Sequence, residues 1–482
     1  MLKSHWVMAA RVLRRHKLFT AINVAGLALG IACATLIGLY VAHEIGYDRF
    51  WASADRIVRI SDDVLEANLH FAGTAPIVAL LLENSFPEVR RSARLSTCFG
   101  RTGGGLVTVG AKSFYERNLA AADNALFEIF DFKWLAGDAR TALAGPRAAV
   151  ITQSAARRYF GTANALGRTF GLETMDGPFE VTGVIGDLPD NTHLKFDLLI
   201  SLQGAPPRTL ESWSGNCYQT YALLGRAEDA AVLRSGSAQF FEERLGKGSS
   251  RFRGFSVVAI ADIHLHSKRE GEMRPPGSMT SVRAFGAIAL FVLAIACINY
   301  VNLATARAAQ RAREVGIRRI VGAKSRQLVA QFLGESVLVT VVAVAAAAAL
   351  VAATLPLFAS FVDKDIRLRD LGSQGFALLG LAALVVALVA GSYPAFGLAA
   401  FRPARVLRGG VAGGGKAAAV RKALVVFQFA ISIALVVVTL VVFEQTRYAR
   451  NLDPGYDTDQ ILVLTASPAK GLGPQWEAMK RQ

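Results

Sequence analysis

Long stretches of apolar residues without any charged side chain dominate the hydrophobic pattern of this chain. Five such windows occur, at residues 21–42, 284–306, 336–362, 376–400 and 423–443. A bilayer core about 30 Å thick needs ~20 apolar residues in a helix. Core helices of soluble proteins are usually shorter and carry a polar face. The pattern therefore predicts five membrane-spanning helices.

The first window, 21–42, is interpreted as a retained membrane anchor rather than a cleaved signal peptide. Its apolar run is longer than the hydrophobic region of a secretory signal, and no small-residue cleavage site stands out after it. The window therefore counts as the first span.

Basic residues are concentrated in three of the segments between these windows. Residues 1–20 carry five Lys or Arg side chains and no acidic one, 307–331 carry seven against one Glu, and 401–422 carry six. They account for the whole formal net charge of +16. Because Lys and Arg accumulate on the cytoplasmic side of a membrane, these segments are predicted to be cytoplasmic. The segments predicted to lie outside are 43–283, the short loop 363–375 and the tail 444–482.

The composition excludes several classes of protein. Hydrophobic residues make up 52% and charged residues 19%, which excludes a disordered chain. Four cysteines in 482 residues exclude a disulfide scaffold. The positive charge alone would suggest a nucleic-acid partner, but it flanks the membrane windows. The expected partner is therefore the lipid bilayer, and no nucleic acid is expected.

The long segment 43–283 is large enough for its own hydrophobic core. Short strand patterns alternate in it with helical stretches, which predicts an α+β domain, divided into two lobes because 205–250 has little strand signal. The predicted strands are 105–109, 148–152, 179–185, 198–202 and 255–260, and the predicted helices are 75–83 and 154–160. The fold class is therefore an α-helical transmembrane bundle with an α+β outer domain.

More than one role fits the cysteines and histidines of this outer domain. Cys98 and Cys217 lie in a compartment that permits disulfides, so a bridge and two unpaired thiols both fit. His264 and His266 would share one face of a strand, which can suit a metal, but no third ligand is evident and a strand edge is favoured. His193 is expected to hydrogen-bond its own backbone in a loop. Neither a metal site nor a catalytic residue is predicted.

The cytoplasmic region 307–335 continues the second window inward. Apolar residues alternate there with basic ones, which predicts a short helix, a turn and an amphipathic helix along the membrane. Two interpretations fit this pattern equally. The helix contacts lipid headgroups only, or it docks a cytoplasmic partner.

A glycine-rich stretch, Gly410–Ala417, matches the first seven positions of a phosphate-binding P-loop. The eighth position needs Ser or Thr to hold magnesium, and here it is Ala417. A membrane window and a basic connector precede it instead of a strand. The stretch is interpreted as a flexible linker within the cytoplasmic segment 401–422, and the chain is predicted to bind no nucleotide cofactor.

Two segments next to the predicted spans carry long motifs, INYVNLATARAAQRAREVGIRRIVGAKSRQLVAQFLGES (298–336) and SYPAFGLAAFRPARVLRG (392–409). Both resemble segments of the FtsX-like permeases, which group with the MacB and LolC/LolE transporters. AVITQSAARRYFG (149–161) and FEVTGVIGDLPDNTHLKFDLL (179–199) resemble the MacB-type periplasmic core domain. The opening LRRHKLFTAINVAGLALGIACATLIGLYV (13–41) is similar to the first span of the same group.

The resemblance implies a permease subunit of a mechanotransmission-type ABC transporter in the bacterial inner membrane, with a cytoplasmic N-terminus and a periplasmic core domain. A separate cytoplasmic ATPase dimer would carry ATP and Mg²⁺, so the chain itself is not an enzyme. The implied task is export or extraction of peptides, lipopeptides, lipoproteins or drugs. An FtsX-like relay that regulates a periplasmic enzyme is the alternative. The motif assigns ATPase coupling to Arg313, Glu314, Val315, Gly316, Ile317 and Arg318.

The fifth window departs from the four-span pattern of a single permease unit. It resembles the duplicated subgroup of the family, in which two four-span halves are fused. Because the tail 444–482 is short for a second core domain, the chain is expected to stop early, as a truncated form of a protein near twice its length. A second permease half or homodimer, and a periplasmic adaptor, are open as partners.

Small and polar residues inside the windows predict helix packing. Asn299 and Asn302 lie on one face of the second window, are costly in lipid and are expected to hydrogen-bond a neighbouring helix. A stripe of small residues at four-residue spacing, which lets helices approach closely and is expected to pack within the subunit, consists of Gly26, Gly30, Ala34 and Gly38.

Overall fold

The computed structural model describes residues 17–97, 104–173, 175–321, 325–368 and 415–452, with scattered positions between 372 and 388. Within one helix, at 307–316 and 318–320, only the backbone is described. The described chain forms two compact units. A helical unit comprises the residues up to His43 and from Thr280 onward, and an α+β domain comprises Glu44–Met279.

The described helices fall into long apolar helices of the helical unit and short helices of the α+β domain. They are α1 (Lys17–Ile45), α2 (Ile77–Ser85), α3 (Leu126–Ile129), α4 (Gln153–Phe160), α5 (Pro207–Leu210), α6 (Ala230–Leu245), α7 (Ile260–His266), α8 (Met279–Ile320), α9 (Ser325–Val362) and α10 (Gly415–Arg450).

The described strands all belong to the α+β domain. They are β1 (Ile57–Val64), β2 (Leu69–His70), β3 (Val89–Ser96), β4 (Gly105–Val109), β5 (Lys112–Glu116), β6 (Leu119–Ala122), β7 (Trp134–Gly137), β8 (Ala148–Thr152), β9 (Thr169–Leu172), β10 (Met175–Ile185), β11 (Leu198–Ser201), β12 (Tyr218–Leu224) and β13 (Arg253–Ala259).

Four described helices are long and apolar enough to cross a membrane: α1, the first part of α8, α9 and the second part of α10. They cover four of the five predicted windows. The remaining window, 376–400, lies almost wholly outside the described residues, as do the greater part of the linker 401–422 and most of the tail 444–482. The total of five spans stays a prediction.

The region 307–335 differs from the predicted short helix, turn and separate amphipathic helix. Helix α8 continues without a break from the second window to Ile320, and α9 runs from Ser325 directly into the third window. A glycine inside a helix costs only about 1 kcal/mol relative to alanine, so Gly316 does not end α8. The predicted interfacial helix is therefore the first part of α9.

The strands of the α+β domain join one mixed sheet in the order β13-β1-β12-β3-β6-β11-β8-β10-β9-β4-β5, with β2 and β7 beside it. The pairs β8–β10 and β6–β11 are parallel, and the other pairs are antiparallel. The predicted strands 105–109 and 148–152 agree with β4 and β8. The predicted separation into two lobes is wrong, because β12 lies in the strand-poor region and joins β1 to β3.

Apolar clusters on both faces of this sheet hold it together. On one face, α6 and α2 cover β1, β12 and β13 through Leu82, Phe240 and Phe255. An aromatic cluster that includes Trp51 and Phe130 forms the largest core. Burying such a side chain contributes roughly 1.5–3 kcal/mol. The sheet is thus a rigid frame for the segments that join it to the rest of the chain.

Candidate functional site

Two peptide segments connect the α+β domain to the rest of the chain. We call residues 44–51 the incoming segment, because the chain enters the domain there, and residues 264–279 the outgoing segment. Both carry buried polar or charged side chains, and polar groups are costly to bury unless they are hydrogen-bonded. The partners of these side chains define the candidate site.

Asp48 fixes the incoming segment. Its carboxylate is fully buried and accepts hydrogen bonds from His193 N (3.0 Å), Trp51 Nε1 (3.2 Å) and the hydroxyl of Thr192. The His193 ring contacts it through Nδ1 at 2.8 Å and reaches Tyr221 OH through Nε2 at 2.7 Å. Asp48 has a φ of 56°, a left-handed conformation that Asp tolerates better than most residues. The carboxylate therefore organises both its own turn and the loop at 191–193.

Electrostatics keep this carboxylate ionised. Burial alone would raise the pKa of Asp48, but the charge of His193 and the hydrogen bonds from His193 and Thr192 outweigh burial and lower it. Burial raises the pKa of Tyr221, so its phenol stays protonated at neutral pH. The His193 ring lies between the two groups, with Nδ1 at Asp48 and Nε2 at the Tyr221 hydroxyl. A chain of hydrogen bonds thus runs from the incoming segment into the sheet.

An aromatic contact holds the same segment. The Trp51 ring lies 5.0 Å from Phe130 and 5.2 Å from Phe132 between centroids, in edge-to-face geometry. The backbone of Asp48 also donates to Asn191 O at 3.0 Å. Edge-to-face pairs contribute about 0.5–1.5 kcal/mol beyond the area they bury. The incoming segment is therefore fixed by apolar packing as well as by charge.

A second buried pair joins the incoming segment to the outgoing one. Glu44 Oε2 and His264 Nε2 are 2.8 Å apart, and each side chain is only 4% exposed. The Tyr47 ring stacks on His264 with 3.5 Å between centroids, and Gly277 N donates to His264 O at 2.8 Å. A Cβ on Gly277 would lie 2.6 Å from His264 Nε2 and 2.9 Å from Glu44 Oε2. Any side chain at position 277 would therefore clash with His264 and Glu44, which explains why a glycine occupies it.

An arginine on β1 fixes the outgoing segment. The fully buried Arg59 forms a two-pronged ion pair with Glu272, at 2.5 and 2.7 Å, and donates to Ser267 Oγ at 3.0 Å. Gln219 Nε2 donates to Gly271 O at 2.9 Å. Burial would raise the pKa of Glu272, but the hydrogen bonds and charge of Arg59 lower it. We call these three connections, at Asp48, at Glu44–His264 and at Arg59–Glu272, the anchor.

Two sequence interpretations are corrected here. His264 and His266 lie on α7 and not on a strand, and a two-residue step on a helix places them on nearly opposite faces. His264 is buried against Glu44, and His266 is exposed and 3.5 Å from Asp262. His193 contacts Asp48 and Tyr221 rather than only its own backbone. Among the described residues no group of side chains suits a metal ion.

The predicted coupling residues lie in the last part of α8. Their backbone is helical, and Ile317 is 51% exposed, so its side chain is accessible on the helix surface. For the other predicted coupling residues only the backbone is described: Arg313, Glu314, Val315, Gly316 and Arg318. Their assignment to ATPase contact stays a prediction.

The small-residue stripe of α1 faces α8 at two positions. A Cβ on Gly30 would lie 2.4 Å from the Cβ of Ala296, and one on Gly26 would lie 3.6 Å from Asn299 Nδ2. Gly38 has open space around it, and Ala34 is half-buried. Asn302 Oδ1 is buried, and no hydrogen-bond partner is found for it in the described part of the chain.

The cysteines are only partly described. Cys217 is disulfide-bonded, whereas the predicted partner Cys98 lies outside the described residues, so their pairing stays a prediction. Cys33 and Cys297 are free thiols.

Comparison with known families matches two parts of the chain. Residues 20–238 match the model of the MacB-like periplasmic core domain, and residues 286–403 match the FtsX-like permease C-terminal model. The first match covers α1 and most of the α+β domain, including Asp48, Arg59 and His193. The second covers most of α8 and all of α9.

Individual relatives are distant. The ABC transporter permease YknZ of Bacillus subtilis (strain 168) is 28% identical over 202 residues, which cover 42% of this chain and 47% of YknZ. The macrolide export ATP-binding/permease protein MacB of Sodalis glossinidius is 24% identical over 352 residues, covering 69% and 49%. The chain thus spans about half the length of these curated relatives.

Two solved structures match part of the chain at low TM-scores. The extracellular domain of YknZ from Gram-positive bacteria covers 42% of this chain and is itself matched over 99%, at 15% identity and a TM-score of 0.30. The periplasmic region of MacB from Actinobacillus actinomycetemcomitans covers 43% of this chain and is itself matched over 90%, at 16% identity and a TM-score of 0.31.

Proposed function

We propose a mechanical role for this chain from the premise that it belongs to the family of FtsX- and MacB-type ABC transporter permeases. In this role a separate cytoplasmic ATPase dimer binds near Ile317 on α8. Its ATP-driven motion passes along α1 and α8 into the α+β domain, which lies in the periplasm and moves a substrate there. Peptides, lipopeptides, lipoproteins and drugs are the proposed substrate classes.

The observation that carries this proposal is the buried pair Glu44–His264. It joins the incoming segment to the outgoing one, so a displacement of either reaches both. Removing one partner of a buried hydrogen bond leaves the other unsatisfied, which typically costs about 1–3 kcal/mol. With the flanking connections at Asp48 and Arg59, the pair fixes both segments to the body of the α+β domain.

The ATPase assignment is tested by co-purification from membranes. The double substitution Gly316→Asp and Ile317→Asp places two carboxylates in the coupling region, and we expect it to abolish recovery of the ATPase while membrane insertion is unchanged. Val321→Asp is the matched control, because Val321 is 83% exposed on the same side and lies outside the predicted coupling residues. Full recovery of the ATPase with the double variant would remove the coupling assignment.

A relay that controls a periplasmic enzyme is the second candidate function. It is favoured by one surface feature of the α+β domain, an open groove in which the charged side chains of Arg234, Asp262 and Lys268 lie beside apolar residues of β13. A surface that mixes charged and apolar groups is typical of protein–protein interfaces. Purification of the native complex distinguishes the two candidates. If the chain is a relay, a periplasmic enzyme is expected to co-purify with it in fixed stoichiometry.

A further inference from the structure

We propose that the turn after α1 binds the phosphate group of a membrane phospholipid. The turn consists of residues 45–50, and its exposed side chains are Ile45, Arg49 and Phe50. Ile45 is 40% exposed and Phe50 is 42% exposed. Two apolar side chains beside a cation suit the boundary between acyl chains and headgroups. The inference goes beyond the proposed function, because it requires neither the ATPase nor a transported substrate.

The turn follows directly on a helix that is long and apolar enough to cross a membrane. This helix, α1, ends at Ile45. Near that end Tyr40 packs edge-to-face on Phe285 of α8, with 5.2 Å between ring centroids. Tyrosine is enriched where a span meets the membrane–water boundary. Because a helix rises about 1.5 Å per residue, Ile45 lies about 7 Å beyond Tyr40, within a headgroup region ~5–8 Å deep.

Two hydrogen bonds keep Arg49 close to the end of the helix. Its Nε donates to Ile45 O at 2.8 Å, and its backbone N donates to Gly46 O at 3.3 Å, so the chain folds back over α1. The two terminal Nη groups of Arg49 form neither a hydrogen bond nor an ion pair within the described residues. Such a pair of donors can bind two phosphate oxygens side by side.

The neighbours of Phe50 keep its ring on the surface. Asp48 is fully buried in its hydrogen bonds, and Trp51 is 4% exposed within the aromatic core of the domain. The Phe50 ring lies 4.6 Å from the Trp51 ring between centroids and still stays half-exposed. Phe50 cannot be buried inside the domain unless these contacts break. Contact with lipid removes its apolar surface from water and leaves the anchor intact.

The apolar and the charged part of the turn together select a phospholipid. Inorganic phosphate would bind Arg49 but would leave Ile45 and Phe50 in water. A protein partner would have to reach the membrane surface at the end of α1. A phospholipid supplies a phosphate and an apolar chain at neighbouring depths, which is the order of Arg49 and Phe50 in the turn. The turn therefore attaches the entrance of the α+β domain to the bilayer surface.

Quenching by a spin-labelled lipid tests the proposal on the full chain in lipid nanodiscs. Phe50→Cys, in a background of Cys33→Ala and Cys297→Ala, carries a fluorescent NBD group, and the background alone is the blank. The lipid carries a nitroxide near the headgroup end of its acyl chain. The matched control is Phe252→Cys, because Phe252 is a similarly exposed phenylalanine (52%) of the same domain, beyond the other end of β1. We expect quenching at position 50 to be about threefold stronger, since β1 separates the two sites by roughly 25 Å.

The role of the Arg49 charge is tested with phosphatidylglycerol in the nanodisc. Arg49→Gln is expected to lower the quenching at position 50 roughly two- to fivefold, since one basic side chain at an anionic membrane surface contributes a factor of about 5 in binding. Arg49→Lys keeps the charge and is expected to retain most of the quenching. The matched control is Arg117→Gln, at an exposed cation directly after β5, which is expected to leave the quenching unchanged.

Three results would overturn the proposal. Equal quenching at positions 50 and 252 would show that the turn does not contact lipid. Equal losses for Arg49→Lys and Arg49→Gln would show that Arg49 only keeps the shape of the turn and binds no phosphate. Protection of the label at position 50 from aqueous iodide in the native complex, without quenching by the lipid, would identify a protein partner instead.

Discussion

The incoming and outgoing segments are both fixed by buried charge, but by different chemistry. Asp48 holds the incoming segment through His193, Thr192 and a backbone N–H, several of them neutral donors. The outgoing segment depends on the guanidinium of Arg59 facing Glu272. Arg stays protonated at any accessible pH, so Arg59 always needs its carboxylate, whereas Asp48 also accepts hydrogen bonds from neutral donors, the Thr192 hydroxyl and the His193 backbone N–H. Loss of the Glu272 carboxylate is therefore expected to remove the outgoing connection as a whole. Loss of one donor to Asp48 leaves its other hydrogen bonds in place.

The largest expected effect is loss of the outgoing connection. Glu272→Leu leaves the Arg59 charge buried without a partner, and we expect a loss of about 3–5 kcal/mol in the free energy of unfolding of the α+β domain. The double variant Arg59→Met with Glu272→Leu is expected to recover most of that loss, because it removes both charges. Denaturant unfolding of the full chain in detergent, followed by tryptophan fluorescence, measures both. A double variant as unstable as the sum of the two single ones would contradict this interpretation.

A smaller effect is expected at the incoming connection. Asp48→Asn keeps the tolerance for a φ of 56° but removes the charge, and we expect a loss of about 1.5–3 kcal/mol, typical of hydrogen bonds to a charged group. The same unfolding measurement applies. Asp131→Asn, at a surface carboxylate near the same segment, is the control and is expected to have little effect. A loss equal to that of Glu272→Leu would show that the two connections do not differ in kind.

The joint between the segments is tested with a single methyl group. Gly277→Ala places a Cβ against His264 and Glu44, and we expect about 1–3 kcal/mol of destabilisation from overpacking. Gly145→Ala is the control, since a Cβ there meets only Ala148, at 3.9 Å. If the joint transmits motion, Gly277→Ala also lowers transport activity at temperatures where the domain stays folded. If Gly277→Ala leaves the free energy of unfolding unchanged, the added methyl group displaces Glu44 and His264 without destabilising the domain, which would contradict this interpretation of the joint.

Acid is expected to have the smallest and most gradual effect. The folded-state pKa values of Asp48 and Glu272 are lowered, so each stabilises the fold above its ordinary pKa and loses that contribution as the pH falls through the folded value. The pKa of Asp62 is raised, mainly by burial, so it acts in the opposite sense and favours the fold at low pH. We therefore expect stability to be flat from pH 7 to about 5 and to fall below about 4. Asp48→Asn is expected to make stability depend less steeply on pH below about 4. An unchanged slope would show that Asp48 does not contribute to the loss of stability in acid.

Local patterns in the sequence predicted the main elements correctly. Four of the five apolar windows correspond to α1, α8, α9 and α10, because an uncharged run of ~20 residues favours a long apolar helix. Strands such as β4 and β8 were predicted at their observed bounds from alternation and turn residues. The continuity of α8 was missed, since a glycine among basic residues suggested a turn.

The anchor could not be predicted, because its partners are far apart in the chain. Asp48 and His193 are separated by 145 positions, and Glu44 and His264 by 220. No local spacing marks either pair. The one usable signal was a set of charged residues directly after the first window, where the chain would enter a folded domain.

The sequence by itself determined which helices are long and apolar enough to cross a membrane, its resemblance to the FtsX- and MacB-type permeases and the presence of a separate α+β domain. Those properties depend on hydrophobicity, charge and short motifs, all of which are local. Only the tertiary structure decided which charged side chains are buried and with which partners. Burial of a charge is stable only when a distant residue supplies a matching group, and the fold alone brings the two together.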